Sequence, residues 1–169
     1  DRCSVRDVLR EAAAVADVDD TAAVVDEVLD VLLDHNRRPR NYLKLDHADH
    51  SAEGLNPLCG DQVNVYLTIN KGIVTDVGFQ GKGCAISTAS ASLMTETVKG
   101  KNTEDIISVF EAFRRMMTKK HPKDNDDEIL GDLYALSGVS NYPVRIKCAV
   151  LSWHTLQSAL EGQKTTSTE

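Results

Sequence analysis

The sequence predicts a protein of helices and antiparallel strands, with one β-hairpin near the middle of the chain. The hairpin is indicated by alternating apolar and polar residues over 63–69, an Asn70-Lys71-Gly72 turn, and a second extended run over 73–80. Helices are indicated on both sides of the hairpin by apolar residues at spacings of three and four. At 169 residues, the chain has the length of one domain.

Two helices are expected before the hairpin, within residues 4–34, and both are expected to pack against a sheet. Pro39 ends the second helix, and the arginine-rich turn around it is expected to be solvated, with a docking patch for an acidic partner as the alternative. A polar loop follows that contains His47 and His50, which we do not expect to bind metal. Cys3 has no partner motif and is interpreted as incidental.

Three long helices are expected after the hairpin. They begin at Cys84, at Asn102 or Thr103, and at Pro143, and the last runs to about Glu161. A charged loop, Lys119 to Asp127, and a short helix or loop, Ile129 to Gly138, lie between the second and the third. The tail from Gln163 is polar and is expected to be disordered.

The composition argues against several classes of function. The net charge is −7 and the pI is near 5.2, without a long basic block, so a surface for nucleic acid or an anionic membrane is not expected. No apolar run has transmembrane length. Four cysteines without an export signal favour reduced thiols, metal or sulfur chemistry, and a cytoplasmic location over a disulfide framework.

The sequence brings potential metal ligands to the two ends of the hairpin. Cys59 and Asp61 come just before its first strand, in a turn shaped by proline and glycine, and Cys84 comes just after its second strand. These ends lie side by side in an antiparallel hairpin. Cys148 lies far downstream in the last helix. Three thiols and a carboxylate are the four ligands of a tetrahedral zinc site, which is our central hypothesis.

Other interpretations of these residues stay open at this point. A lone cysteine is most often a small buried apolar residue, which suits Cys148 on an apolar helix. A Cys59–Cys84 disulfide would leave Asp61 without a role. A closed zinc site normally serves only to hold a fold. Arg145 shares a helix face with Cys148 and is a candidate to stabilise a thiolate or to dock a partner.

Three motifs, in order along the chain, resemble the SufU branch of the NifU/IscU-like iron–sulfur assembly proteins. They are Asn56-Pro57-Leu58-Cys59-Gly60-Asp61, then Gly81-Lys82-Gly83-Cys84-Ala85-Ile86-Ser87 with Ala89-Ser90-Ala91-Ser92, then Arg145-Ile146-Lys147-Cys148, and the resemblance includes Asp34-His35 and Pro39-Arg40-Asn41. It runs from about Asp26 to Leu160. It implies an α+β fold in which a small antiparallel β-sheet packs against several helices. We therefore divide the chain into an N-terminal helical extension (1–25), the SufU/IscU-like domain (26–162) and a disordered tail (163–169).

The resemblance also implies a metal site and a partner. The implied zinc ligands are Cys59, Asp61, Cys84 and Cys148, and the implied partner is a pyridoxal-phosphate cysteine desulfurase. The chain departs from the IscU branch at Lys147, where that branch has histidine, at residues 141–145, which replace Leu-Pro-Pro-Val-Lys, and in a longer span before Cys148. These departures favour sulfur transfer over cluster building.

Sulfur transfer assigns roles to two residues. Cys59 takes sulfur as a persulfide, and Arg145 assists it. The sulfur then passes to a downstream iron–sulfur scaffold. The chain is therefore expected to be a sulfurtransferase-type protein, and the sequence does not decide whether it is an enzyme. The alternative is a scaffold that assembles a [2Fe–2S] cluster on the same ligands. A third class is a zinc-stabilised interaction module without chemistry.

Overall fold

The computed structural model describes residues 21–168, which form a four-stranded sheet and its surrounding helices. In chain order the elements are α1 (Thr21–Arg37), β1 (His50–Asn56), β2 (Asp61–Asn70), β3 (Ile73–Lys82), α2 (Ala85–Val98), α3 (Thr103–Thr118), α4 (Asp126–Leu130), a 3₁₀ helix (Gly131–Asn141), α5 (Pro143–Leu160) and β4 (Thr165–Ser167). The predicted α+β class is confirmed. The first helix expected within residues 4–34, and Cys3, lie outside the described residues. No described helix is long and apolar enough to cross a membrane.

The predicted hairpin is confirmed as β2 and β3. The sheet order is β3-β2-β1-β4, and both β1–β2 and β2–β3 are antiparallel. Asn70 pairs with Ile73, so Lys71 and Gly72 form the turn, with φ values of 50° and 78°. Two residues in the left-handed region match the right-handed twist of the flanking strands.

Strand β1 was missed by the sequence prediction, which assigned the start of this segment to a polar loop. His50 begins the strand instead, and the positions that face the helices carry small residues, Ala52 and Gly54. A Cβ atom on Gly54 would lie 2.0 Å from Thr155 Oγ1 of α5, so only glycine fits there. A strand built from small and polar residues lacks the β-branched alternation that predicts strands.

The tail is partly a strand where the sequence predicted disorder. Thr165–Ser167 forms β4, which pairs in parallel with residues 53–55 of β1. The edge of β1 presents unpaired backbone groups, and a polar tail can satisfy them without an apolar pattern. The predicted domain boundaries at residues 26 and 162 stay predictions.

Helices α2 and α5 cover one face of the sheet. α5 packs on β1 and β2, and α2 packs on β3 and α5. On the outer side of α5, Trp153 stacks on Phe110 and Phe113 of α3 with ring centroids 5.7 and 5.3 Å apart. α5 is therefore buried between the sheet and α3, which holds Cys148 of its second turn against the end of the sheet.

The segment after α1 is held against α2 by polar contacts. Ser92 Oγ lies 2.7 Å from His35 Nδ1 and accepts a hydrogen bond from the backbone N–H of Arg40 at 2.8 Å. The Arg40 guanidinium pairs with Asp34 and lies 3.6 Å from Glu96. Arg40 is thus partly buried and paired, and the expectation of a solvated turn is wrong for this residue. The Asp34-His35 and Pro39-Arg40-Asn41 motifs have a structural explanation.

A partly buried ion pair fixes the charged loop 119–127 to α3. Arg115 donates from Nε to Asp126 Oδ2 at 2.9 Å and from a terminal nitrogen to Oδ1 at 2.6 Å, and the Lys123 N–H also donates to Oδ2. The hydrogen bonds from Arg115, followed by that from Lys123, lower the pKa of Asp126 to about 2. The sequence identified the loop as charged but gave no sign that one carboxylate is buried.

Asp126→Asn is expected to lower the melting temperature at pH 7, because the neutral amide loses the ion pair. The carboxylate of Asp126 stabilises the fold fully above its ordinary pKa of 3.8, and this contribution disappears as the pH falls toward about 2. The difference between wild type and variant should therefore narrow below about pH 4. Thermal melts from pH 7 to pH 2 measure it. The matched control is Asp127→Asn, since Asp127 is exposed, and equal melts for both variants would contradict the prediction.

Candidate metal centre

The turn between β1 and β2 carries Cys59. Residues 57–60 connect the strands, and the Gly60 N–H donates to the Asn56 carbonyl oxygen at 2.9 Å. Gly60 has φ of 71°, a conformation that glycine adopts without strain. The elbow expected from Pro57 and Gly60 is therefore a tight hairpin turn, and it places Asn56 directly opposite Asp61.

Cys59, Asp61 and Cys148 come together at this turn. One potential ligand atom from each lies within 4.8 Å of the other two. The two sulfur atoms, Cys59 Sγ and Cys148 Sγ, are 3.3 Å apart. Asp61 is only 2% exposed and Cys148 is fully buried, whereas Cys59 is half-buried. The group thus contains one thiol near the surface and a thiol and a carboxylate in the interior.

Cys84 borders this group from the start of α2. Its backbone N–H donates to Asp61 Oδ1 at 2.9 Å, and its Sγ lies 4.0 Å from Asp61 Oδ2. As the N-cap residue, Cys84 also accepts a hydrogen bond at Sγ from the Ser87 N–H. The two ends of the hairpin are therefore adjacent, as the sequence predicted. Cys84 Sγ does not belong to the group of ligand atoms that lie within 4.8 Å of one another, which come from Cys59, Asp61 and Cys148.

The thiols hold their protons unequally. A hydrogen bond with Cys148 is the largest cause that lowers the pKa of Cys84, to about 7, and the Ser87 N–H lowers it further. The same hydrogen bond with Cys84, together with burial, raises the pKa of Cys148. Cys84 is therefore the more readily ionised of the two thiols. The helix start contributes as expected, but the neighbouring thiol contributes more.

Arg145 adds a positive charge to the thiol cluster from the first turn of α5. Burial acts to lower the pKa of its guanidinium, but the charge of Cys84, a hydrogen bond with Cys148 and the charge of Cys59 raise it, and the net direction is upward. A cation in this position favours a thiolate on Cys84, whose charge is the largest of the causes that raise the pKa of Arg145.

The structure separates the predicted site residues from the other candidates. The predicted site residues converge at one end of the sheet: Cys59, Asp61, Cys84, Cys148 and Arg145. Metal binding by the three cysteines and Asp61, and the catalytic roles of Cys59 and Arg145, stay predictions. The remaining candidates lie elsewhere: His47 is exposed, His50 begins β1, and His154 contacts Phe110 edge-on at 5.4 Å.

Asn56 is a site residue that sequence reasoning missed. Its side chain is completely buried, with Nδ2 at 3.3 Å from Asp61 Oδ2 and 3.5 Å from Cys148 Sγ. In the sequence, Asn56 stands out only as the first residue of the motif that ends at Asp61, without a role of its own. Recognition of β1 would have identified it, because the strand register pairs Asn56 with Asp61.

The chemistry of the donor set fits zinc. Thiolates and a carboxylate are both zinc ligands, and a site rich in sulfur is typical of this ion. The Cys84 N–H donates a hydrogen bond to Asp61 Oδ1, and Asp61 Oδ2 faces the sulfur of Cys84. Gly83 permits this close approach, since a Cβ there would lie 2.9 Å from Asp61 Oδ1.

Comparison with known proteins gives consistent matches over most of the chain. Residues 27–161 match the family described as NifU-like N terminal domain. The zinc-dependent sulfurtransferase SufU of Bacillus subtilis is 43% identical over 134 residues, which are 79% of this chain and 89% of that protein. The iron–sulfur cluster assembly scaffold protein IscU of Thermotoga maritima is 39% identical over 132 residues, 78% of this chain and 91% of that protein.

A solved structure shows the same fold. The crystal structure of FiSufU, a protein for the SUF system of Fervidobacterium islandicum, is similar to this chain with a TM-score of 0.73 and 34% sequence identity. The matched region covers 77% of this chain and 93% of FiSufU. The resemblance inferred from the three sequence motifs is therefore confirmed. This chain belongs to the family of NifU-like N-terminal domains, together with its SufU and IscU relatives.

Proposed function

We propose that this chain accepts persulfide sulfur from a cysteine desulfurase at Cys59 and passes it on for iron–sulfur cluster assembly. The observation that carries the proposal is the grouping of a half-buried thiol with a buried thiol and a buried carboxylate at one turn. Arg145 supplies a positive charge beside them. The 43% identity to a zinc-dependent sulfurtransferase supports sulfur transfer as the main function.

Cys59, Asp61, Cys84 and Cys148 are the residues that would hold zinc. Zinc keeps bound cysteines deprotonated and protects them from oxidation. Asp61 is a hard ligand among soft sulfurs, and its orientation is set by the Cys84 N–H. Cys148 and Asp61 are buried and Cys84 caps α2, so Cys59 would be the ligand best placed to meet a docked partner.

The sulfur transfer itself is an exchange between a thiolate and a persulfide. The Cys59 thiolate attacks the terminal sulfur of the partner's persulfide, and a new S–S bond forms to Cys59 Sγ. The bond between that sulfur and the partner's cysteine breaks, and the partner's cysteine leaves as a thiolate. Electrons and charge balance without an external oxidant or reductant. The Arg145 guanidinium supplies a positive charge beside the sulfur atoms during the attack.

Access separates Cys59 from Cys148, and position in the fold separates it from Cys84, which is also half-buried. Its neighbour Leu58 is 60% exposed, and Val144, one turn before Cys148 on α5, is 55% exposed. Both are apolar side chains at the rim of the site, which a docked protein would cover. Cys148 is fully buried, and Cys84 caps α2 with its sulfur turned toward Ser87. Reaction with another protein's persulfide requires an accessible thiolate.

Mass spectrometry of the protein after incubation with a pyridoxal-phosphate cysteine desulfurase and cysteine tests the proposal. We expect a gain of sulfur on the peptide that contains Cys59, and none when cysteine is omitted. Persulfide found only on Cys84 or Cys148 would overturn the assignment of Cys59, and persulfide on none of the three would exclude the transfer.

The assembly of a [2Fe–2S] cluster on the same side chains is the second candidate function. It is favoured by the 39% identity to an IscU scaffold, since the relatives of this chain include both kinds of protein. Metal content separates the two. A colourless protein with about one zinc per chain supports sulfur transfer, whereas a brown protein with stoichiometric iron and sulfide supports the scaffold.

The proposal also defines the setting in which the chain works. The desulfurase partner would be of the SufS type, and a downstream scaffold would receive the sulfur. Cys59, Cys84 and Cys148 are free thiols, and sulfur transfer through free thiols requires a reducing compartment. We therefore propose the cytoplasm as the location.

A further inference from the structure

Asn56 has an unusual environment for an amide side chain. It ends β1 and is completely buried. Its Nδ2 lies 3.3 Å from Asp61 Oδ2 and 3.5 Å from Cys148 Sγ, so that one amide group reaches both the carboxylate and the buried sulfur. Its Oδ1 has no hydrogen-bond partner among residues 21–168.

Folding alone does not account for this amide. A buried carbonyl oxygen without a hydrogen bond destabilises the folded state, and an apolar side chain of the same size would avoid that cost. The turn also does not need the amide, because the contact that closes it uses the backbone oxygen of Asn56 and the Gly60 N–H. The two N–H donors of Nδ2 have a use only toward Asp61 and Cys148.

These donors complete the support of the Asp61 carboxylate. The Cys84 N–H donates to Oδ1, and Asn56 lies against Oδ2, so each oxygen has a donor on a different side of the site. Hydrogen bonds to the side chains that ligate a metal fix their orientation, and their loss typically weakens metal binding. The contact of Nδ2 with Cys148 Sγ likewise fixes the position of that sulfur.

We propose that Asn56 is a positioning residue of the metal site, whose amide bridges Asp61 and Cys148 and holds both in the arrangement that binds the ion. This inference rests on the proposed function, because it requires that Asp61 and Cys148 bind metal. Asn56 does not ligate the metal and does not touch the transferred sulfur. It acts through the two side chains that it orients.

The test compares Asn56→Leu and Asn56→Ala with wild type, using zinc and cobalt alone as probes. Zinc affinity is measured by competition with a chromophoric chelator, and the visible spectrum of the cobalt-loaded protein reports the ligand arrangement. Asn64→Leu is the matched control, since Asn64 lies on the neighbouring strand and is partly exposed. We expect both Asn56 variants to lose about 10- to 100-fold in zinc affinity and to change the cobalt spectrum. The control should resemble wild type.

The melting temperature of the metal-free protein separates positioning from packing. Asn56→Leu should fold without metal and melt close to the temperature of wild type, because the loss of the unpaired carbonyl oxygen offsets the loss of the donors to Asp61 and Cys148. The inference would be overturned if the zinc affinity and the cobalt spectrum were unchanged in both variants. It would also be overturned if neither variant folded in the absence of metal. If only Asn56→Leu fails to fold, the zinc affinity and the cobalt spectrum of Asn56→Ala test the inference. Wild type that binds neither zinc nor cobalt would refute the metal site of the proposed function instead.

Discussion

Cys59→Ser is expected to abolish sulfur transfer and to leave the fold intact. A serine oxygen forms no persulfide. Of the other two thiols of the site, Cys148 is fully buried, and Cys84, which is half-buried like Cys59, is engaged as the N-cap of α2. The turn should persist, since it depends on the backbone contact between Gly60 and Asn56 rather than on the thiol. The measurement is the rate of alanine production by a cysteine desulfurase with and without the added protein. Wild type should accelerate the desulfurase, and the variant should not.

Two further variants make this result specific to Cys59. Cys3→Ser is the matched control for the replacement of a cysteine by serine, and it should accelerate the desulfurase as wild type does. Asp61→Ala should weaken metal binding but keep the nucleophile, so part of the acceleration should survive. Full acceleration by Cys59→Ser would show that another thiol accepts the sulfur.

The sequence predicted the hairpin and the convergence at its ends because both depend on local signals. Alternation over β2, a turn at Lys71 and Gly72, and thiols just outside the strand ends are all readable within about 25 residues. Antiparallel pairing then brings Asp61 and Cys84 together, and the 2.9 Å contact between Asp61 Oδ1 and the Cys84 N–H confirms their proximity. The start of α2 at Cys84 followed from the same reasoning.

Strand β1 and the role of Asn56 could not be predicted because tertiary contacts determine them. Gly54 occupies its position because Thr155 of α5 leaves no room for a Cβ, which is a contact across about 100 residues of sequence. The pattern of β1 therefore reflects the helix above it rather than a strand preference. Because β1 was not predicted, the strand register that places Asn56 opposite Asp61 could not be predicted either.

The position of Asp126 was unpredictable for a related reason. A carboxylate in a run of charged residues is normally solvated, and only the fold shows that Arg115 of α3 pairs with this one at a partly buried position. Such pairs carry no periodic signal in the sequence. They account for much of what the structure adds beyond the positions of helices and strands.

Removal of the metal is expected to lower the melting temperature by about 5–11 °C. A ligand at about 100 times its Kd adds about 2.7 kcal/mol to the free energy of unfolding, and each kcal/mol shifts the melting temperature by about 2–4 °C for a chain of this size. The effect should be large because the candidate ligands come from separate elements: Cys59 from the turn, Asp61 from β2, Cys84 from the start of α2, and Cys148 from α5. Without the ion, the 3.3 Å contact between two thiols and the hydrogen bonds of Asn56 remain to hold them together.

Thermal melts of the zinc-loaded and the chelator-treated protein measure this difference. The double variant Cys59→Ser/Cys148→Ser is the control, since it lacks two of the candidate ligands and should melt at one temperature with or without zinc. A wild-type protein that also melts at one temperature in both conditions would mean that the cysteines do not share a metal. A shift that grows with zinc concentration is expected from linkage, because the folded state alone brings the ligands together. The metal would then stabilise the contact between α5 and the sheet as well as the reactive thiol.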